Sequence, residues 1–99
     1  MSLEQFVSRY IASAEHVLGE LEIVADEDLH LGKDSILRVV DLAKAYLQDA
    51  KYYRDGERLE VSLASVAYCE GLLDALKMLG AVRFEWPVRK EKALGKSGK

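Results

Sequence analysis

The chain has 99 residues, 49% of them hydrophobic and 31% charged, with a formal net charge of −3. That length carries one domain with one core and excludes a catalytic domain joined to an accessory one, while the apolar content excludes a disordered chain. Residues 1–82 hold 8 basic and 15 acidic side chains, or −7, whereas residues 83–99 hold 6 basic and 2 acidic, or +4, so an acidic body precedes a basic tail.

The first predicted helix covers residues 3–24. Ser2 followed by Gln5 has the form of a capping box, in which each side chain satisfies a free backbone N–H of the other residue. At about 100° per residue, Leu3, Phe6, Val7, Tyr10, Ile11, Ala14, Val17, Leu18 and Leu21 share one arc, with Arg9, His16 and Glu20 opposite. Acidic residues spread through this segment, so it reads as a helix rather than a signal peptide. No stretch of the chain reaches the eighteen or so consecutive apolar residues of a membrane span.

Residues 25–33 collect acids and a glycine and read as a loop. A second helix follows over 35–54, capped by Asp34 or Ser35, with Ile36, Val39, Val40, Leu42, Ala43, Tyr46, Leu47, Ala50 and Tyr53 in one arc. Asp55-Gly56 is a turn signal that ends it, and a third helix covers 57–79 with Gly80 as its cap. This third helix is broadly apolar. One stripe carries Val61, Ala64, Tyr68, Leu72, Ala75 and Leu79; a second carries Leu59, Leu63, Val66, Cys69, Leu73 and Leu76. A helix apolar over so wide an arc touches two neighbours or a partner chain. The small residues Ala64, Gly71 and Ala75 permit close approach of another helix.

After Gly80 the only tryptophan and only proline, Trp86-Pro87, precede a lysine-rich run. Proline drives the residue before it toward extended geometry, and Phe84 and Trp86 are expected to fold back over one end of the bundle. Residues 1–88 thus form the helical domain and residues 89–99 a disordered basic tail. Only this tail could contact a polyanion, weakly and in a salt-sensitive way, since such binding needs clustered Lys and Arg.

The segment YLQDAKYYRDG is dense in candidate chemistry. Tyr46 and Tyr53 lie in the buried arc two turns apart, Tyr52 points away, and Asp49 stands three and four positions from the two inward rings. One reading is packing, with Asp49 accepting a tyrosine hydrogen bond. The other pairs Asp49 with Asp74 across the second and third helices as a metal or acid–base site, although Asp74 lies on a polar arc with Lys77 three residues on and no histidine stands near. Packing is the reading adopted. Glu27 and His30 have a di-iron-like spacing, but one copy in a loop falls short of the two motifs and two further glutamates such sites need. Cys69 excludes an internal disulfide and a multi-cysteine zinc site; it reads as a small buried hydrophobe in a reducing cytoplasm. No phosphate-binding glycine loop or nucleophile elbow is present, so no catalytic, cofactor or metal residue is assigned.

Residues 46–80 resemble a mostly archaeal family known only as domain of unknown function 357. The pattern is a tyrosine, an Asp-Ala pair, an aromatic, a glycine-acid turn, then a helix with Tyr and Gly-x-Leu-Asp-Ala. Tyr46, Asp49, Ala50, Tyr53, Gly56, Glu57, Tyr68, Gly71, Leu73, Asp74 and Ala75 stand at the matching places. Glu57 replaces the frequent aspartate of the turn. The resemblance implies a small helical bundle without an established activity. Some members are joined to a nucleotidyltransferase domain, which implies an accessory role; these 99 residues have no room for such a domain. A packing likeness to tetratricopeptide hairpins also exists, but one hairpin is not a repeat array.

The expectation is an all-α, three-helix antiparallel bundle with a tight hairpin of the second and third helices and a basic C-terminal tail. It acts as a cytoplasmic, non-enzymatic protein-interaction module that self-associates, most simply as a homodimer, through Val66, Tyr68, Leu72, Leu73 and Leu76. A monomer results instead if the first two helices straddle the third and bury both stripes. The alternative function is an accessory factor for nucleotide or RNA chemistry acting through the tail.

Overall fold

A computed structural model describes residues 1–24 and 31–87. Three helices account for most of it: α1 (Leu3–Glu20), α2 (Lys33–Asp55) and α3 (Leu59–Met78). Two short strands, β1 (Glu22–Ile23) and β2 (Val82–Arg83), pair antiparallel with Glu22 opposite Arg83 and Ile23 opposite Val82. The fold is an all-α bundle with a tight α2–α3 hairpin.

The capping box starts α1 as the sequence requires. Ser2 Oγ accepts from the Gln5 backbone N–H at 3.1 Å, and Gln5 Oε1 accepts from the Ser2 N–H at 3.0 Å. The helix ends at Glu20, four residues short of the expected end. The reason is tertiary: the chain after Gly80 returns beside it and pairs with Glu22 and Ile23, and the Val24 N–H donates to the Ala81 carbonyl at 3.0 Å. β-branched residues at 23, 24 and 82 suit that extended pairing.

Helix α2 starts two residues earlier than expected. Gly32 is its N-cap without a side-chain cap bond, so neither Asp34 nor Ser35 caps; Asp34 instead lies in the first turn, where a carboxylate suits the helix dipole. The two hairpin helices end in the same way with different residues. At the end of α2, the Arg58 N–H bonds the Tyr53 carbonyl and the Glu57 N–H that of Arg54; at the end of α3, Ala81 bonds Leu76 and Gly80 bonds Lys77. Both are Schellman closures needing one left-handed residue. In α3 this is Gly80, at φ 76°, as the sequence suggested, but in α2 it is Glu57, at φ 62°, one position after the glycine.

The core gathers Val7, Ile11, Ala14 and Val17 of α1, Ile36, Val40, Ala43, Leu47 and Ala50 of α2, and Val66, Cys69, Leu73 and Leu76 of α3. Ala81, Val82 and Phe84 close one end, and Trp86 packs against them. Each fully buried Val, Leu or Ile contributes about 1.5–3 kcal/mol relative to an exposed one. Ala43 and Ala50, both fully buried, let α3 approach closely, and Ser62 Oγ donates to the Ala50 carbonyl at 2.6 Å across that gap. Helix α1 lies on one side of the hairpin, tied to α2 by the Lys51–Glu15 ion pair.

Candidate functional site

Packing divides α3 lengthwise. Ser62, Val66, Cys69, Leu73 and Leu76 face the core, and Val66, Leu73 and Leu76 are at most 3% exposed. These three therefore leave the expected interaction surface: packing against the core covers them, while Leu59 and Leu63 of the same stripe are half-buried. The other stripe is uncovered. Tyr68 is 63% and Leu79 59% exposed, Leu72 is half-buried, and Ala64, Ala67, Gly71, Ala75 and Met78 are exposed beside them. The charged positions on that outward half are Glu60 near its start and Asp74 at its edge.

The α2–α3 edge of this face is built from the tyrosines. Tyr46, half-buried, stacks on Tyr68 with ring centroids 4.8 Å apart and planes 15° from parallel, so Tyr68 is held flat by one face while its other face is open. Leu42, 47% exposed and one turn before Tyr46, extends the apolar surface along α2. Tyr53 is half-buried beneath the Arg58 guanidinium at 5.2 Å, with exposed Tyr52 edge-on to it. The inside-and-outside division of the Tyr52–Tyr53 doublet follows the helical period.

Asp49 and Asp74 are not brought together. Ala50, next to Asp49, lies against Ser62, and Asp74 stands twelve residues further along α3, about 18 Å at helical rise. Asp49 is exposed on the Tyr46 flank of α2. Asp74 accepts a hydrogen bond from Trp86 Nε1 at 2.7 Å, tying down the segment after β2, while Lys77 lies over the Phe84 ring at 4.9 Å. That tie escaped the sequence reading, although a lone tryptophan after the last helix was its signal. Gly71 carries no crowding: a Cβ there would meet nothing within 4 Å. Cys69 is buried, and loss of hydration, with the charge of neighbouring Glu70 adding to it, pushes its thiol from 9.0 up to about 12. Such a thiol is a poor nucleophile.

A cleft of about 420 Å³ lies at the end of α1, lined by His16, Val17, Glu20, Glu22, Arg83 and Phe84 among others. On its rim His16 Nε2 lies 3.1 Å from a Glu20 carboxylate oxygen, and Arg83 pairs with Glu22 at 3.7 Å. Among the described residues no group of three or more His, Cys, Asp or Glu side chains could hold a metal ion, and no helix is long and apolar enough to cross a membrane. Glu27, His30 and the basic tail at 89–99 lie outside the described residues.

The geometry defines a small helical bundle in which the motif tyrosines and Asp74 are engaged in packing and strap contacts. Residues 9–82 match the family described as protein of unknown function (DUF357), and the chain belongs to that family. No curated protein and no solved structure matches the chain significantly.

Proposed function

We propose that this protein is a non-enzymatic interaction module of the cytoplasm that binds another protein chain through the outward face of its α2–α3 hairpin. The carrying observation is that face itself. Leu42, Tyr68, Met78 and Leu79 are exposed there around Ala64, Ala67, Gly71 and Ala75, on a chain whose body is otherwise rich in charge. Contiguous exposed apolar surface marks interaction sites, because leaving it in water forgoes the free energy of its burial. Charged residues are depleted at the centres of such contacts and tyrosine is enriched, as here. The lone thiol buried in the core suits a reducing compartment.

The test is site-specific photo-crosslinking in cells that make the protein. A benzoylphenylalanine at Ala67 is expected to capture a protein chain of defined mass, and the same group at exposed Lys44 on α2 is not. Equal, diffuse labelling from both positions would remove the reading.

A further inference from the structure

We infer that the chain covering this face is a second copy of the same protein, docked antiparallel, α3 on α3, about a twofold axis level with Cys69 and Glu70. The inference rests on the interaction reading above and names its partner.

The centreline of the outward half of α3 is Ala64, Tyr68, Gly71 and Ala75, exposed residues spaced four, three and four apart. That is the spacing with which one helix meets another along a single stripe. Set antiparallel about the stated axis, residue 68 of one copy meets residue 71 of the other, and residue 64 meets residue 75. Each contact then occurs twice, as a twofold interface demands. The chemistry fits the register. Tyr68, its ring held flat on Tyr46 with the other face free, lies against Gly71, where the structure leaves open space. Ala64 against Ala75 permits close approach on either side. A parallel arrangement would set Tyr68 on Tyr68 and Gly71 on Gly71, a collision beside a void.

Charge favours the same occupant. The chain is −7 over residues 1–82, so a partner chosen by electrostatics would be basic and would find acids facing it. The centreline has none. Glu60 stands at the far end of the face, and Asp74 is held by Trp86. Two acidic bodies can meet here because the centreline of the contact is uncharged, with Asp49 and Glu60 standing toward its rim. Size is adequate as well: the 20 residues of α3 span about 30 Å, and with the flank of α2 beside it the face is about 20 Å wide. Two copies then bury about 1,200 Å², the lower end for a specific interface.

Sedimentation across the micromolar range, combined with cysteine crosslinking, tests this. The expected mass rises with concentration from 11.1 kDa toward twice that value. Gly71→Tyr, at a position where a Cβ meets nothing within 4 Å, is expected to keep the helical circular dichroism and weaken association at least tenfold. Under mild oxidation, a mixture of Ala64→Cys and Ala75→Cys chains is expected to give a crosslinked dimer, whereas either variant alone does not. A mass fixed at 11.1 kDa at every concentration overturns the proposal. So does a dimer that crosslinks through Ala64→Cys alone, which would mean a different register. A monomer whose Ala67 photo-crosslinker captures another protein removes the second copy and leaves the interaction reading standing.

Discussion

The inward and outward halves of α3 are both largely apolar, yet one is sealed and the other is wet. The inward half contains a serine, Ser62, at 0% exposure, while the outward half leaves Tyr68 at 63% and Met78 at 87%. Hydropathy alone would have ordered these residues the other way. What places Ser62 inside is size and hydrogen bonding: it fits against Ala50 and its hydroxyl reaches the Ala50 carbonyl. A buried hydroxyl so satisfied costs little, whereas a tyrosine at that position would force the hairpin apart. Burial in a small bundle therefore follows the shape of the helix–helix gap as much as apolarity, and the large residues it cannot fit remain for a partner.

The sharpest way to break this comparison is truncation on each half. Leu73→Ala is expected to lower unfolding free energy by about 2–5 kcal/mol, the range for a fully buried leucine. In dilute solution Tyr68→Ala should cost only about 1 kcal/mol, the value of its ring contact with Tyr46. Urea denaturation measures both, and equal losses would show that the outward half is not outward.

Cys69 probes the inward half through pH. Its thiol is held up at about 12 in the folded chain against 9.0 when exposed, so the unfolded chain releases the proton first as pH rises. The contribution of this thiol to stability is therefore full below pH 9 and falls away between pH 9 and 12, with a slope of about 1.4 kcal/mol per pH unit. Cys69→Ala should remove that part of the slope, and an unchanged slope would place the thiol in water.

Smaller effects refine the boundary. Ser62→Ala is expected to cost about 1 kcal/mol by deleting one buried hydrogen bond, with the Ala50 carbonyl still free to serve its own helix. Asp74→Ala should cost less than about 1 kcal/mol because its bond to Trp86 is exposed. Its readout is optical: Trp86 emission should shift to the red, and Asp74→Asn, which retains an acceptor, should shift it less. An emission spectrum unmoved by either change would detach the strap from α3.

Much of the architecture was legible beforehand. The capping box at Ser2 and Gln5, the three apolar periodicities, the glycine closing α3 and the division of Tyr52 from Tyr53 are local, and local rules of spacing and backbone geometry specify them. The motif tyrosines could be placed on a helix flank, but their partners could not, because Tyr46 and Tyr68 are twenty-two positions apart and meet only once the hairpin forms. The glycine of the α2 turn misled by one position: the left-handed residue is Glu57, held there by the two closing hydrogen bonds.

What the sequence by itself determined is which residues belong to helices and that α3 carries more apolar surface than one neighbour needs. Only the tertiary structure decided which of its two stripes is covered, since that depends on the side from which α1 approaches the hairpin. It also decided where α1 ends: Glu22 and Ile23 leave the helix because the returning chain at Val82 and Arg83 offers their backbone a better set of hydrogen bonds. Asp74 acquired its partner in the same way, from a tryptophan twelve residues on that reaches it only after the turn at Gly80. Periodicity is a property of one segment and is written in its residues, whereas coverage is a property of two segments and exists only when they pack.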